Sequence, residues 1–385
     1  MRRIYFDHNA TTPVRPEVLE AMLPYFGERF GNASSVHTFG REARCALEDA
    51  REKVAKAINA QPSEIVFTSG GTEADNTAIK GIAHLLRDKG RHIVTSRVEH
   101  KAVLETCKYL EKEGFEVTYV SVDSTGMVHP QAVEEALRED TVLVSVMHAN
   151  NEVGTINPIA KIGEICHSRG ILFHTDAVQS FCKVRIDVQA MHIDLASFSA
   201  HKIYGPKGVG ALYVRRGVRF TQLLHGGEHE RKRRAGTENV AGIVGFGRAV
   251  ELAMAERDEE NRRLISLRDR LWRGIQEKVE RVRLNGHPTE RLPGTLNVSF
   301  EGVEGESVLL SLDMKGVAAS SGSACTSGSL SPSHVLEAMG VPPELAQSAV
   351  RFSLGRSNTE EDVDYTVEIL PGIVQRLREM SALEV

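Results

Sequence analysis

Between about residue 50 and residue 250, short β-rich runs alternate with stretches of helical pattern, and this alternation limits the fold more than any other feature. Seven runs read as strands: Ile65–Thr68, His92–Thr95, Glu116–Val120, Val142–Met147, Ile171–His174, Ile193–Phe198 and Val209–Val214. Several are continuous apolar runs, as strands covered on both faces require. The segments between them, such as Thr72–Arg87, suit crossover helices, so the pattern predicts an α/β layered sheet. Beyond residue 250 the pattern changes. Glu251–Glu280 predicts a long charged helix crossing between domains, and Arg281–Val385 a smaller α/β domain with Thr295–Phe300 as one strand.

Bulk properties exclude several function classes. The net charge of −5 over 385 residues argues against general nucleic-acid binding, which favours an excess of Lys and Arg. No window holds the ~18 consecutive apolar residues of a spanning helix, so no membrane role is expected. The N-terminus turns polar at once, and the five cysteines (Cys45, Cys107, Cys166, Cys182, Cys325) are odd in number, with no Cys-x-x-Cys pair. A reducing, cytoplasmic setting is therefore expected, with neither a disulfide framework nor a zinc ribbon. Cys325 stands apart, in the small polar run from Ala319 to Pro332, which predicts a mobile loop. The other four cysteines read as structural.

Three places carry candidate chemistry. In Thr68-Ser69-Gly70-Gly71-Thr72-Glu73-Ala74-Asp75 a strand ends, two glycines allow close approach of a ligand, and a helix opens at a Thr-x-x-Asp capping pattern. Free N–H groups and the helix dipole suit a phosphate there. The dipole contributes only about 0.3–1 kcal/mol, so hydroxyls and cations from elsewhere must help. A plain strand–turn–helix corner fits the same string. Asp176, just past an apolar strand, stands at the carboxyl edge where open α/β sheets bind ligands, and could hold a protonated ring nitrogen or merely cap a helix. Lys202 again follows a strand, with Ser199 and His201 beside it as donors for an anion; most lysines are solvated, and a Schiff-base lysine needs burial or cationic neighbours. Two other strings are set aside. His225-Gly226-Gly227-Glu228-His229 has two glycines where a zinc-binding helix would be required, so no metal site is expected, and Arg231–Arg234 reads as an interface loop.

Together, a glycine-rich cradle, an aspartate after a later strand and a lysine after a further strand resemble a fold-type I pyridoxal-phosphate transferase. The strings Glu99-His100-Lys101-Ala102-Val103, Asn150-Asn151-Glu152-Val153-Gly154, His201–Gly208, Arg234-Ala235-Gly236-Thr237, Ser320–Thr326 and Val350–Gly355 are similar to those of cysteine desulfurases of the NifS/IscS group, class-V aminotransferases, from Ile4 to about Leu377. The resemblance implies a large domain (15–255) with a mostly parallel seven-stranded sheet flanked by helices. It implies a small domain of 1–14 and 256–385 that carries the cysteine loop (about 319–332).

The same resemblance implies roles. Lys202 would carry pyridoxal 5'-phosphate covalently and move a proton at the substrate Cα. Asp176 would pair with the ring nitrogen, Gln179 would donate to the phenolic oxygen, and His100 would stack on the ring and exchange protons. Gly71, Thr72, Ser199 and His201 would hold the phosphate, joined by Thr237 from the other subunit of a homodimer. Asn151 (also near the cofactor) and Arg351 would bind the carboxylate of L-cysteine, and arginine suits this because its planar fork forms two parallel hydrogen bonds. Arg351 in a structural salt bridge is the other reading. Cys325 would take the sulfur as a persulfide, leaving alanine, and pass it to a sulfur acceptor or iron–sulfur scaffold protein. Rival readings are a selenocysteine lyase or another lyase or aminotransferase of this fold, and a non-catalytic binding protein. Three departures from the family pattern stand out: Ala200 in place of glycine; Asn32-Ala33 in place of Asn-Pro, which is expected to loosen one turn; and a sequence that stops soon after Met380-Ser381-Ala382-Leu383 where housekeeping members usually continue into a tail that helps contact the scaffold, which leaves the sulfur acceptor open.

Overall fold

The computed structural model describes residues 3–321 and 332–380. Strand β1 (Ile4–Tyr5) opens the chain, and β2 (Ile65–Thr68), β3 (His92–Ser96), β4 (Glu116–Val120), β5 (Thr141–Ser145), β6 (Leu172–Asp176), β7 (Leu195–Ser199) and β8 (Gly210–Val214) follow. These last seven form one sheet in the order β2-β8-β7-β6-β5-β3-β4. The five strands from β7 to β4 are mutually parallel, and β8 runs antiparallel to both of its neighbours. All seven strands lie where the sequence pattern predicts them, with ends shifted by one or two residues. One shift matters: Asp176 is the last residue of β6 rather than the residue beyond it. Most strand residues are buried on both faces, which explains apolar runs in place of alternation.

Four further strands pair outside this sheet. β9 (Val282–Asn285), β10 (Thr295–Phe300) and β12 (Ala349–Ser353) form an antiparallel sheet, and β11 (Val317–Ala318) runs parallel to β1. Ile4 and Phe6 therefore pack into the same core as Val298, Phe300 and Phe352, far from them in sequence.

The long helix is Val240–Lys278, and it begins eleven residues before the charged segment that marks it in sequence. Its first part, Val240–Val250, is rich in glycine, a poor helix former. Packing overrides that preference. A Cβ on Gly247 would lie 2.7 Å from Ala50 Cα, so glycine lets this helix close on Thr38–Ala57. Ile243, Phe246, Ala249 and Val250 face the core beside the seven-stranded sheet, whereas Leu264, Leu267, Leu271 and Ile275 face the other core. One helix thus serves two of the four hydrophobic clusters among the described residues.

The turn at Asn32–Ser35 is not loose. Asn32 Oδ1 accepts from Ser34 N at 2.9 Å and its carbonyl accepts from Ser35 N at 2.9 Å, so the asparagine closes the turn without a proline. Among the described residues, no helix is long and apolar enough to cross a membrane. Phe246 is fully buried, edge-on to Phe67 and Phe181. Phe246→Ala should cost about 3–5 kcal/mol, read as a lower denaturation midpoint with the fold's circular dichroism retained below it.

Candidate active site

The parallel strands end on one edge, and the chain brings chemistry to that edge five times. β3 connects to β4 on one side while β5 lies on its other side, so a crevice opens between the loops that follow β3 and β5. An open cleft sits there, at the edge where open α/β sheets hold ligands. Its walls include Gly71, Thr72, His100, Asn151, Asp176, Gln179, Ser199, His201, Lys202 and Arg351. Ten of the twelve residues proposed from sequence are thus brought together. Thr237 is exposed and does not line this cleft within its own chain, and Cys325 lies outside the described residues.

At the anion end, the helix Gly71–Leu86 has Gly70 as its N-cap, not Thr72 as the Thr-x-x-Asp pattern predicts. Gly70 takes φ 152°, which L side chains avoid. A Cβ on Gly71 would approach Val178 Cγ2 to 2.6 Å. Glu73 reaches back to the turn before the helix, accepting from Ser69 N at 2.8 Å and pairing with Arg234 at 2.9 Å. Asp75, freed from capping, is buried beneath the cleft floor. Ser199, His201 and Thr72 surround the helix start, and Lys207 joins them as a cation that would add to the dipole's pull on an anion. Burial holds His201 down to about 4, and neighbouring lysines add to this, so at neutral pH it is a hydrogen-bonding group rather than a charge. Gly205 packs so closely that a Cβ on it would stand 2.9 Å from Ala200 Cβ; the methyl of Ala200 fits because its neighbour is glycine.

The centre of the cleft joins an amine to carboxylates. Lys202 Nζ donates to the main-chain carbonyls of Asn9 and Ala10, the latter at 2.8 Å. Burial, with Lys183 and Arg351 as cationic neighbours, lowers Lys202 to about 7. Burial pushes Asp176 upward, opposed by His100, the Val178 N–H and Lys202. Asp75 is raised well above the carboxylate range by burial and by Asp176. Asp75, His100 and Asp176 bring ligand atoms within 4.8 Å of one another. His100 Nδ1 accepts from Ala102 N at 3.1 Å, so the neutral ring carries its proton on Nε2; burial disfavours its charged form. Gln179 Nε2 donates to Asn9 O at 3.0 Å, while its Oε1 is buried without a partner among the described residues.

Arg351 is 2% exposed. Its Nη2 donates to Asp7 Oδ1 at 2.7 Å and its Nη1 to Asn151 O at 2.9 Å, so a salt bridge and a place on the cleft wall coexist. Adjacent Asn150 is structural: its side chain binds Val98 O, Glu152 N and Val153 N. The described ends of the cysteine loop are both tied to this wall. Ser320 and Arg351 exchange main-chain hydrogen bonds, Ser333 Oγ donates to Glu152 Oε2 at 2.5 Å, and His334 Nε2 donates to Glu99 O at 3.0 Å.

Asn9, Ala10, Asp75, Glu152, His334 and Lys207 line the site but are not singled out by sequence reasoning. The signal for the first two was present: Asp7-His8-Asn9-Ala10-Thr11-Thr12 is a polar, β-branched string between two apolar segments, with nothing local to support it.

A covalent aldehyde cofactor with a phosphate and a basic ring nitrogen matches this donor set. It calls for a low-pKa amine, an anion cradle at a helix start and buried carboxylates that lack a cation, and all three are present. The fold and site define a fold-type I pyridoxal-phosphate enzyme. The Aminotransferase class-V family model matches residues 4–366, and the chain belongs to that family. It is 59% identical to the cysteine desulfurase IscS of Methanosarcina thermophila over 99% of this chain and 94% of that protein. It is 56% identical to the cysteine desulfurase IscS of Dictyoglomus turgidum, covering 99% and 96%. Among solved structures, a NifS-like protein superposes with TM-score 0.92 at 44% identity, covering 97% of this chain and 100% of the other. SspA in complex with cysteine gives TM-score 0.81 at 42% identity, covering 91% and 98%.

Only the neutral amine attacks an aldehyde. The apoprotein should therefore capture pyridoxal phosphate about tenfold faster per pH unit up to pH ~7 and level off above it, read by stopped-flow absorbance. A rate still rising tenfold per unit at pH 9 would show an ordinary, solvated lysine.

Proposed function

We propose that this chain is a cysteine desulfurase: with pyridoxal phosphate it takes sulfur from L-cysteine, leaves L-alanine and carries the sulfur as a persulfide on Cys325. The strongest support is the meeting of Lys202, Asp176, His100 and Arg351 in one cleft of a chain 59% identical to a cysteine desulfurase over nearly its whole length.

Bound pyridoxal phosphate supplies an aldehyde that takes up an amino acid and a ring that withdraws electrons from its Cα. Lys202 holds the cofactor and, once released, accepts the Cα proton and returns it on the far side of the reaction. Asp176 stays ionised against a protonated ring nitrogen, a pairing that offsets the burial pushing it upward. Gln179 donates to the phenolic oxygen; its amide retains a second N–H beside the one given to Asn9 O. Gly71, Thr72, Ser199 and His201 hold the phosphate. Arg351 and Asn151 orient the substrate carboxylate and so aim the thiol away from the wall. His100, with its Nε2 proton, serves the sulfur. The Cys325 thiol bonds to the substrate sulfur as the carbon–sulfur bond breaks; the carbon fragment gains the protons that make it alanine, so cysteine and a thiol become alanine and a persulfide. Both described ends of the loop that bears Cys325 are anchored to the cleft wall, which supports its access to the site.

Residues 15–255 are the large domain, and 1–14 with 256–385 the small one; the separate core that Ile4 and Phe6 build with residues from Leu264 onward supports this. The enzyme is a homodimer in which Thr237 completes the partner's phosphate site. Its exposure, and the exposed apolar side chains of Leu19, Leu23, Phe26, Phe30, Val36 and Phe39, support that reading. The sulfur goes to an acceptor or iron–sulfur scaffold protein in the cytoplasm.

After incubation with L-cysteine, the peptide containing Cys325 should gain the mass of one sulfur atom. Cys325→Ala should keep the cofactor's absorbance and lose alanine formation; unchanged turnover in that variant would overturn the assignment. Arg351→Lys should raise KM about 10–100-fold, as loss of a bidentate charged pair requires, measured by steady-state kinetics.

A further inference from the structure

The turn 150–154 carries Asn151 to the cleft, and each of its main-chain oxygens from 151 to 154 is taken by a donor from far away in sequence. Asn151 O accepts from Asn9 Nδ2 at 3.1 Å and from Arg351 Nη1 at 2.9 Å. Glu152 O accepts from Asn297 Nδ2 at 3.2 Å, Val153 O from Arg291 Nη2 at 2.9 Å and Gly154 O from Leu292 N at 2.9 Å. Asn297 and Arg351 lie in β10 and β12, and Arg291 and Leu292 lead into β10. On the inner side, Asn150 Oδ1 accepts from Glu152 N and Val153 N. An ordinary surface turn leaves such carbonyls to water, whereas this one is held by protein on both sides. The Asn151 side chain has no hydrogen bond among the described residues, and Asn151 lines the cleft.

Arg291 is 5% exposed and does not line the cleft itself. Its backbone is set by strand-like pairing: Thr155 and Arg291 form an antiparallel bridge, and Ile156 N donates to Glu290 O at 2.9 Å. Its Nη2 donates to Asn285 O at 2.7 Å as well as to Val153 O, and so ties the end of β9 to the turn. Among the described residues no carboxylate pairs with it, and its Nε is buried without a hydrogen-bond partner. Burying a guanidinium against carbonyls alone is costly, and an apolar side chain of similar volume would pack such a place at lower cost. What the guanidinium adds is a directed, charge-assisted hold on Val153 O.

We propose that Arg291 is a positioning residue for the substrate's carboxylate: by holding Val153 O from behind, it fixes the turn that presents Asn151 and receives Arg351 Nη1. That role rests on Asn151 and Arg351 being the ligands of the carboxylate. Both depend on the turn. Asn151 is part of it, and the Arg351 fork is aimed by Asp7 at Nη2 and by Asn151 O at Nη1. Val153 is fully buried, so without Arg291 its carbonyl is left without a donor and the turn shifts to find one. A misplacement of about 1 Å in a group that orients substrate costs up to ~10²-fold.

The test is the affinity of the holoenzyme for two ligands, read from the change in cofactor absorbance: L-alanine, and ethylamine, which is alanine without its carboxylate. Arg291→Met should weaken L-alanine about tenfold and leave ethylamine unchanged. Should Arg291→Met fail to fold, Arg291→Gln is expected to show the same selective loss. Unchanged affinity for L-alanine in the folded neutral variant would overturn the proposal, as would an equal loss for both ligands, which would mark a merely structural side chain. Arg351→Lys, measured alongside, separates the two levels of the reading. Weaker L-alanine in Arg351→Lys but not in Arg291→Met sinks the role of Arg291 alone. Unchanged L-alanine in Arg351→Lys sinks the carboxylate site itself, and the role of Arg291 with it.

Discussion

The site depends on keeping a lysine amine uncharged while two carboxylates lie buried close by. A buried amine loses its proton because water no longer stabilises the charge, and a buried carboxyl keeps one for the same reason. Lys202 at about 7 and Asp176 and Asp75 above their ordinary range are two sides of that single constraint. Direct pairing of Lys202 with Asp176 would remove the effect. The structure instead gives the two hydrogens of the Lys202 amine to the carbonyls of Asn9 and Ala10, which accept without adding a negative charge.

The fold makes this arrangement possible by sending unrelated segments to one edge. β6 delivers Asp176 as its last residue, β7 delivers Ser199 and then Lys202, and the N-terminal segment crosses from β1 in the second sheet system to lay Asn9 and Ala10 over the lysine. β12 brings Arg351 from the same side. The cleft thus draws its helix start, its amine and Arg351 from elements separated by hundreds of residues. Glycines at 70, 71 and 205 allow the close backbone approaches around the helix start and the Lys202 turn.

Much of this was legible in the chain, for identifiable reasons. Strands buried on both faces announce themselves as apolar runs, so all seven in the large sheet could be placed from the sequence. Lys202 and Asp176 are visible because each follows such a run. What escaped was contact over long distances. Asn9 has no periodic signal, and Asp75, which the Thr-x-x-Asp pattern makes a capping residue, is instead drawn inward and buried. The start of the long helix was hidden by glycines that serve packing rather than propensity.

Reduction of the holoenzyme with borohydride, followed by peptide mapping, addresses the central claim most directly. The account predicts that the cofactor's mass is fixed to the peptide bearing Lys202 and nowhere else. Its recovery on Lys183, on Lys207 or on no lysine would contradict it.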